Sequence, residues 1–576
     1  MVDVGKLIEP VAMIHRRRTA PLVLELDLTE GLTDETPGDP LGQVMALRRH
    51  RLSDVVEGIR RAARDPRVRA LVARIGGQPL GFGRVQELRA AVTAFRRSGK
   101  PTVAWSESFG EFGPGTVPYY LAAAFEEIVL QPSGSVGLTG LSVTNRFFRD
   151  AVDKLGIEYE VGARYEYKTA VNMVTERGFT DAHREAAGRI VESLTEQIVE
   201  GIGEGRHRPA EEVRALIDRG PFLAAEALEA GLVDRLGYRD EVYAELLGRF
   251  RPAAGSHDAP PRLQYVARYH RTHALANRIP AVPRGRHYVG LISGVGQIVT
   301  GRSRRSPLGG GSAMGSDTVA AAFRAARRDP HVRAVVFRVD SPGGSYIASD
   351  AIWREVRLTR ESGTPVVVSM GDVAGSGGYF VALGADTIVA QPGTLTGSIG
   401  VFVGKAVLTG LLSRLGVSSD SVDAGEHARM FASDRGFTES EWERVNAMLD
   451  HIYDDFTAKV AASRGMSRER VHELARGRVW TGRDAAANGL VDTLGGVETA
   501  ARIAREKAGL PPLAALRPFP RPHPLERLVP AESSEDRTAA AARLRLSSWG
   551  PLAELSARLG LPAAGPLVVP GTWEIR

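Results

Sequence analysis

A serine in a glycine-rich turn is the strongest chemical signal in this sequence. Residues 375–378 read GSGG, with Ser376 as the reactive side chain. The apolar run 365–369 before the turn predicts a strand, and residues 379–384 after it predict a helix. A serine at a sharp strand-to-helix turn holds its hydroxyl at the sheet edge, beside backbone N–H groups. The pattern indicates a nucleophile, although a structural turn with an inert serine would have the same pattern.

A second glycine-rich segment, DSPGG at residues 340–344, follows the apolar run 334–339. Loops at the carboxyl ends of parallel strands are where α/β proteins bind ligands. The backbone N–H groups of Gly343 and Gly344 could therefore point at a developing oxyanion. A plain strand-ending turn explains the same residues equally well.

A nucleophilic serine needs a base within hydrogen-bonding distance. The chain has 13 histidines, and the two nearest the candidate regions, His183 and His427, are more typical of structural or surface positions. A buried lysine can serve instead, because desolvation disfavours the ammonium form. Lys168, in the segment YEYKTAVN at residues 165–172, lies between aromatic and small residues and is the candidate base.

The two halves of the chain repeat the same landmarks in the same order. Residues 64–75 read RDPRVRALVARI and residues 328–339 read RDPHVRAVVFRV, an offset of 264. The later landmark GLVD occurs at 231–234 and again at 489–492, an offset of 258. The sequence therefore predicts a tandem duplication.

The duplication distributes the candidate groups unequally. An offset of 260 places Ser376 opposite Thr116 and Lys168 opposite Ala428, and an offset of 258 places Lys168 opposite Glu426. One copy has the serine and the other has the lysine. This complementary loss predicts one active site assembled from two half-sites, so that neither half works alone.

Short apolar runs and helical stretches alternate within each copy, which predicts an α/β fold with mostly parallel sheets flanked by helices. In the first copy the runs at 22–28 and 68–75 are separated by a helical stretch at 52–64. The predicted units are an N-terminal segment (1–20), a first repeat with the lysine (21–247), a linker (248–287), a second repeat with the serine (288–510) and a Pro-rich tail (511–576).

Composition narrows the classes of function. The 576 residues include no cysteine, which removes thiol nucleophiles, disulfides and Cys-ligated metals. The net charge of +6 comes from interspersed charges without the basic, aromatic-rich stripe of a nucleic-acid groove, so no nucleic-acid partner is predicted. No apolar run reaches the ~18–20 residues of a membrane span, and the N-terminus does not have the order of a signal peptide. We expect a cytoplasmic protein or one peripheral to the cytoplasmic membrane.

The motifs together resemble the signal peptide peptidase A family, in its long bacterial form with two tandem repeats. The resemblance rests on DSPGG at 340–344, GDVAGSGGYF at 371–380, GSIG at 397–400 and YKTA at 167–170. It implies a tandem duplication of a crotonase- and Clp-protease-like domain, a Ser/Lys dyad, no cofactor and no metal. It also implies a homo-oligomer, a tetramer in the long form, that cuts residual signal peptides. The implied roles are Ser376 as nucleophile, Lys168 as general base, Ser398 as the group that orients the lysine, and Gly377, Gly344 and Gly343 as the oxyanion hole.

The favoured function is a serine endopeptidase that degrades cleaved signal peptides or similar extended apolar peptides. Two alternatives stay open at the level of sequence. A crotonase-like acyl-CoA enzyme would also use paired glycine N–H groups, but it gives no reason for a serine in the turn. A non-catalytic, membrane-associated scaffold would behave identically with and without Ser376. Long-form members commonly begin with a membrane-spanning helix, which this sequence does not show, so membrane attachment is left open.

Overall fold

The computed structural model describes residues 20–29, 31–34, 50–76, 80–253, 256, 259–276, 287–305, 312–519, 543–544 and 567–568. The predicted N-terminal segment and most of the predicted tail lie outside these residues. Among the helices of the described ranges, none combines the length and the apolar character needed to cross a membrane.

The strands of the first repeat are β1 Leu22–Asp27, β2 Leu32–Thr33, β3 His50–Arg51, β4 Val68–Arg74, β5 Thr102–Ser106, β6 Glu127–Leu130, β7 Ser135–Val136, β8 Glu158–Arg164, β9 Phe222–Leu223, β10 Arg235–Leu236 and β11 Arg262–Tyr265. Its helices are α1 Leu52–Arg64, α2 Phe82–Arg96, α3 Thr116–Ala122, α4 Arg149–Leu155, α5 Asn172–Thr175, α6 Asp181–Arg206, α7 Ala210–Arg219, α8 Ala224–Glu229, α9 Arg239–Gly248 and α10 Val266–Ala276, with a 3₁₀ turn at Thr169–Val171.

The remaining strands are β12 Tyr288–Val295, β13 Gln297–Val299, β14 Arg304–Arg305, β15 Ser312–Gly315, β16 Val332–Ser341, β17 Gly343–Gly344, β18 Val366–Gly375, β19 Thr387–Ala390, β20 Leu395–Gly397, β21 Val401–Val407, β22 Val479–Thr481, β23 Thr493–Leu494, β24 Leu516–Pro518, β25 Arg543–Leu544 and β26 Leu567–Val568. The helices are α11 Ser316–Arg328, α12 Tyr346–Glu361, α13 Gly377–Ala382, α14 Thr409–Arg414, α15 Glu439–Arg464, α16 Arg468–Leu474, α17 Gly482–Ala487 and α18 Val497–Lys507.

The two repeats have matching parallel sheets. The first has the strand order β10-β6-β5-β4-β1-β11, and the second contains the equivalent order β23-β19-β18-β16-β12-β24. All neighbours within these two orders are parallel. Runs of buried Val, Leu and Ala form the central strands, as expected for a sheet covered on both faces. The predicted α/β class is confirmed.

The first repeat extends beyond the predicted boundary at residue 247. Strand β11 lies within the predicted linker 248–287 and pairs with β1, and α10 packs on α1. Strand β24 lies just inside the predicted tail and pairs with β12 in the same way. Both are short edge strands beside Pro- and Arg-rich sequence, and pairing to a preformed sheet compensates for their weak local pattern.

The long helices agree with their sequence signals. The four-residue spacing of Ile190, Leu194 and Ile198 predicts a helix over roughly 181–202, and α6 covers this range and continues to Arg206. The segment TESE at 438–441 predicts a capping box at a helix start, and α15 begins there. The Thr438 hydroxyl accepts from the Glu441 N–H, and the Glu441 carboxylate accepts from the Thr438 N–H.

One antiparallel strand pair joins the two repeats directly. Strand β8 of the first repeat pairs with β21 of the second over seven residues, from Val401 opposite Arg164 to Val407 opposite Glu158. Lys168 follows β8 by four residues, and Ser398 precedes β21 by three. This pairing therefore brings the lysine segment of one repeat to the serine segment of the other.

Candidate active site

Ser376 occupies the junction between β18 and α13. It is fully buried, and its backbone has φ 53° and ψ −113°, a conformation that side-chain-bearing residues rarely adopt. Its N–H donates to the Gly397 carbonyl at 2.7 Å, which fixes the turn against β20. A strained, buried serine held this way is typical of a nucleophile at a strand-to-helix turn.

Lys168 reaches Ser376 from the other repeat. Its Nζ lies 2.9 Å from Ser376 Oγ, 3.0 Å from Ser398 Oγ and 3.1 Å from the Ser398 carbonyl oxygen. Only 2% of the residue is exposed, and burial lowers the pKa of its ammonium to about 7. Its hydrogen-bond partners are neutral, so desolvation acts without a compensating carboxylate.

Ser398 is itself held by the second repeat. It is buried, its backbone φ is 50°, and its N–H donates to the Arg478 carbonyl at 2.7 Å. Both its hydroxyl and its carbonyl oxygen face the lysine amine. Ser398 therefore fixes the position of the amine relative to Ser376.

The three glycines predicted for the oxyanion hole lie together beside Ser376. Gly377 is the first residue of α13, so its N–H has no acceptor within the helix. A Cβ built on Gly377 would be 3.2 Å from Gly344 N, which places the two backbones in contact. The Gly343 N–H donates to Ser341 Oγ at 3.1 Å, so it is already engaged within its own segment.

Sequence reasoning missed the turn at residues 476–478, which supports the lysine. The Arg476 carbonyl accepts from the Tyr167 N–H at 3.2 Å, and the Gly477 N–H donates to the Ile399 carbonyl at 2.8 Å. Gly477 has φ +87°, and a Cβ there would lie 2.4 Å from Lys168 N. The close approach requires glycine, and its only sequence signal is a glycine between two arginines.

The histidines considered as bases do not contact Ser376. His183 is buried, its Nε2 lies 2.9 Å from Asn145 Nδ2, and burial lowers its pKa to about 4. His427 lies in a half-exposed loop of the second repeat. In the first repeat, Thr116 stands at the position that Ser376 has in the second, and its hydroxyl accepts from the Thr139 N–H at 3.1 Å.

Comparison with protein families finds the model of peptidase family S49 twice in the chain, at residues 94–248 and 359–511. The double match confirms the predicted tandem duplication. Among solved structures, a ClpP1 mutant from Listeria monocytogenes matches 37% of this chain and 94% of its own at 14% identity (TM-score 0.24). An enoyl-CoA hydratase from Polaromonas sp. JS666 matches 34% of this chain and 68% of its own at 17% identity (TM-score 0.22).

Similar proteins include a chloroplastic serine protease SPPA of Arabidopsis thaliana, 32% identical over 80% of this chain and 66% of its own length. Protease 4 of Salmonella typhi is 33% identical over 81% of this chain and 73% of its own length. Protease 4 of Haemophilus influenzae is 30% identical over 79% and 72%, respectively. The chain therefore belongs to peptidase family S49, as a serine-type peptidase of the long form in which the family domain occurs twice.

Proposed function

We propose that the protein is a serine endopeptidase that uses Ser376 and Lys168 as a catalytic dyad. The observation that carries this proposal is the 2.9 Å approach of Lys168 Nζ to Ser376 Oγ in a buried site, where no carboxylate of the described residues contacts the amine. Because burial brings the pKa of the amine to about 7, a large fraction of Lys168 is neutral at physiological pH and can accept a proton.

Acylation begins when the neutral Lys168 amine takes the proton from the Ser376 hydroxyl. Oγ attacks the carbonyl carbon of the scissile peptide, and the carbonyl oxygen becomes an oxyanion that accepts from the Gly377 and Gly344 N–H groups. The tetrahedral intermediate collapses as the Lys168 ammonium gives its proton to the leaving amine. The products of this stage are a free amine fragment and an ester on Ser376.

Deacylation uses the same groups in a second round. Lys168, again neutral, takes a proton from a water molecule that attacks the ester carbonyl carbon. The second tetrahedral intermediate collapses, the proton returns to Ser376 Oγ, and the carboxylic acid fragment leaves. Ser398 keeps the amine pointing at Oγ in both rounds through its hydroxyl and carbonyl oxygens.

An extended peptide is the substrate class that the surroundings of the dyad support. Strand β26 pairs antiparallel with β17, with Val568 opposite Gly343 and Leu567 opposite Gly344. An extended apolar segment therefore fits along the edge that carries the proposed oxyanion donor, as in recognition by strand addition. We propose cleaved signal peptides, which are rich in apolar residues, as substrates of this kind.

The proposed activity is tested by incubating the purified full chain with a synthetic peptide of signal-peptide composition and analysing the fragments by mass spectrometry. We expect internal cleavage, and we expect a fluorophosphonate probe to label Ser376. An intact peptide together with an unlabelled Ser376 would contradict the proposal.

Replacing Ser398 by alanine is expected to lower kcat by about tenfold and to leave KM nearly unchanged. The hydroxyl orients the lysine amine and is not expected to bind the substrate. Loss of an acceptor for the ammonium also disfavours the charged form, so the acidic limb of the pH–rate profile should move to lower pH. Steady-state kinetics of Ser398→Ala from pH 5 to 9 check this, and a wild-type kcat with an unmoved acidic limb would contradict it.

We propose that the chain forms a homo-oligomer by head-to-tail contact of its repeats. In the second repeat, Thr481 on β22 is buried, and its hydroxyl lies 2.9 Å from Ser193 Oγ of α6. The equivalent residue of the first repeat is Leu223 on β9, because β7 pairs β9 as β20 pairs β22. Leu223 is 66% exposed and lines a cleft of about 790 Å³ together with the fully exposed Phe112.

Internal symmetry supports one choice of occupant for this cleft. Helices α6 and α2 of the first repeat both contact the second repeat. Their counterparts in the second repeat are α15 and α12. Met448 on α15 and Ile347 on α12 are exposed apolar side chains, the latter at 71%. We propose that these helices of a second copy cover the cleft, and that repeated head-to-tail contacts close into the tetramer that the family resemblance implies.

A charge in the cleft, or on a helix that is proposed to cover it, is therefore expected to dissociate the oligomer. We expect Leu223→Glu and Ile347→Glu to lower the mass measured by sedimentation equilibrium from the oligomer towards the 61.9 kDa monomer. Leu513→Glu is the matched control, because Leu513 is equally exposed but lies after α18, away from these helices. A wild-type chain that sediments as a monomer would contradict the proposal.

A further inference from the structure

A partly buried ion cluster joins the first repeat to both glycine-rich segments of the second. The Arg84 guanidinium on α2 contacts three carboxylates: Asp340 at 2.5 Å, Asp34 at 2.9 Å and Asp372 at 3.2 Å. The Arg84 backbone N–H also donates to Asp372 Oδ1 at 2.9 Å. These four residues form what we call the Arg84 cluster.

Two members of the cluster, Asp340 and Asp372, belong to the two glycine-rich segments of the proposed active site. Asp340 begins the segment that leads to Gly344, and Asp372 precedes Ser376 by four residues. The ladder between β16 and β18 is irregular here: it steps from Val339–Met370 to Ser341–Ala374, which leaves residues 371–373 outside the regular pairing. Residues 373–375 still pair with β20 on the other side of β18, so side-chain contacts replace the missing part of the ladder on the β16 side.

Asp340 and Arg84 supply those contacts. Asp340 Oδ1 accepts from the Val373 N–H at 3.1 Å, so the carboxylate ties the oxyanion segment to the irregular part of β18. The other oxygen of Asp340 binds Arg84. The cation thus holds one carboxylate from each of the two segments whose relative position defines the site.

The fit around the cluster leaves no room for side chains on the neighbouring glycines. A Cβ on Gly81 would lie 2.0 Å from Asp372 Oδ2, and one on Gly83 would lie 2.9 Å from the Gly371 carbonyl oxygen. The start of α2 therefore presses against residues 371–372 of β18. This contact places the start of α2, and with it Arg84, next to the irregular part of β18.

The charges explain why a cation is needed at this point. Burial raises the pKa of Asp340 to about 6 and also raises the pKa of Asp372, although Arg84 opposes both shifts. Arg338 is a buried cation nearby, but its ion pairs are with Glu87 and Asp34. Without Arg84 the carboxylates of Asp340 and Asp372 would repel each other in a poorly solvated site.

We propose that Arg84 is a positioning residue, through which the first repeat sets the distance between the oxyanion segment and the Ser376 turn. The proposal rests on the proposed function of that site. It assigns the first repeat a second contribution besides Lys168: one repeat supplies the base and also aligns the nucleophile with its oxyanion donors.

Arg84→Gln tests the proposal, because glutamine removes the cation and retains much of the side-chain length. We expect kcat to fall about 10- to 100-fold with KM changed less than threefold, since small misplacements of reacting groups carry penalties of this size. We expect Arg84→Lys to recover part of kcat by restoring one ion pair. Hydrogen exchange at the backbone amides of residues 371–377 should accelerate in Arg84→Gln.

Arg483→Gln is the matched control, because it removes an ion pair between the repeats, Arg483 with Glu200 at 2.5 Å, that does not touch either segment. Its kcat and its exchange at residues 371–377 should equal those of the wild type. Equal exchange in Arg84→Gln and Arg483→Gln would overturn the positioning role even if no peptidase activity were found. Absent cleavage by the wild type would instead contradict the proposed function.

If Arg84→Gln does not fold, Asp372→Asn provides the same test with a nearly isosteric change. The amide can still accept from the Arg84 N–H, but the ion pair is lost. We expect a reduced kcat and faster exchange at residues 371–377. Wild-type values for both would overturn the proposal.

Discussion

Replacing Lys168 by methionine is expected to lower kcat/KM for peptide cleavage by about 10³-fold or more, because removal of a general base has effects of this order. Ser376→Ala is expected to lower it by about 10⁴-fold or more, since the covalent route is lost. Both values come from initial rates on the same peptide. The Nζ–Oγ distance of 2.9 Å and the absence of another base at Oγ among the described residues are the physical basis.

Lys168→Met is also expected to stabilise the protein. A lysine in contact with solvent has a pKa near 10.5, and burial brings that of Lys168 to about 7. Between these values the unfolded chain binds a proton that the folded chain does not, so the lysine costs stability at neutral pH and the cost shrinks as pH rises towards 10.5. At about 1.4 kcal/mol per pKa unit, the cost approaches ~5 kcal/mol at pH 7. A higher Tm with lost activity would separate a catalytic lysine from a structural one.

Lys405→Met is the control for this result. Lys405 lies on β21, the strand that joins the repeats, and its Nζ donates to the Met430 carbonyl rather than to Ser376. Its kcat/KM should stay within about twofold of the wild type. Full activity of Lys168→Met would remove the dyad, whereas identical behaviour of the wild type and Ser376→Ala in the peptidase assay would favour the non-catalytic alternative.

The sequence predicts the fold well where local pattern and tertiary structure agree. Helix α1 has the predicted limits Leu52–Arg64, and the capping box at Thr438 begins α15 as expected. The sequence predicts a helical stretch at 85–97, but α2 begins earlier, at Phe82, because its start is defined by packing of Gly81 and Gly83 against β18 and not by a capping side chain. The residues around position 82 contain no signal of this contact with β18, which lies about 288 residues later in the sequence.

Some residues of the candidate site could be predicted from the sequence and others could not. Lys168 could be found because the duplication provides a second copy in which the lysine is missing. Arg84 could not be found, since its partners lie 256 and 288 residues away in sequence and a lone arginine at a helix start is ordinary. Gly477 was missed for the same reason: its requirement comes from the Lys168 backbone, which approaches it from the other repeat. Contacts between the two repeats join residues far apart in the sequence, so they leave no periodic pattern from which they could be predicted.

Peptide cleavage is expected to slow about tenfold for each pH unit below about 7. In the proposed dyad the neutral amine of Lys168 accepts the proton of Ser376, and burial lowers the pKa of Lys168 to about 7. Below that pH the neutral fraction falls tenfold per unit, so at pH 5 kcat/KM should be at least about 100-fold below its alkaline plateau. The measurement is kcat/KM from pH 5 to 9 on a peptide without ionisable side chains.

The Arg84 cluster predicts a second feature of the same profile. Burial raises the pKa of Asp340 to about 6, with Arg84 and Arg338 opposing the shift and Asp372 and Asp34 adding to it. Protonation of Asp340 weakens its hold on Arg84 and on the Val373 N–H, so the slope should steepen from one towards two below about pH 6. Asp340→Asn should lower the plateau and keep a slope of one throughout. A single acidic limb centred near pH 4 would indicate a carboxylate as the base and would contradict the role of Lys168. A limb near pH 10 would indicate a lysine in contact with solvent and would contradict the buried dyad.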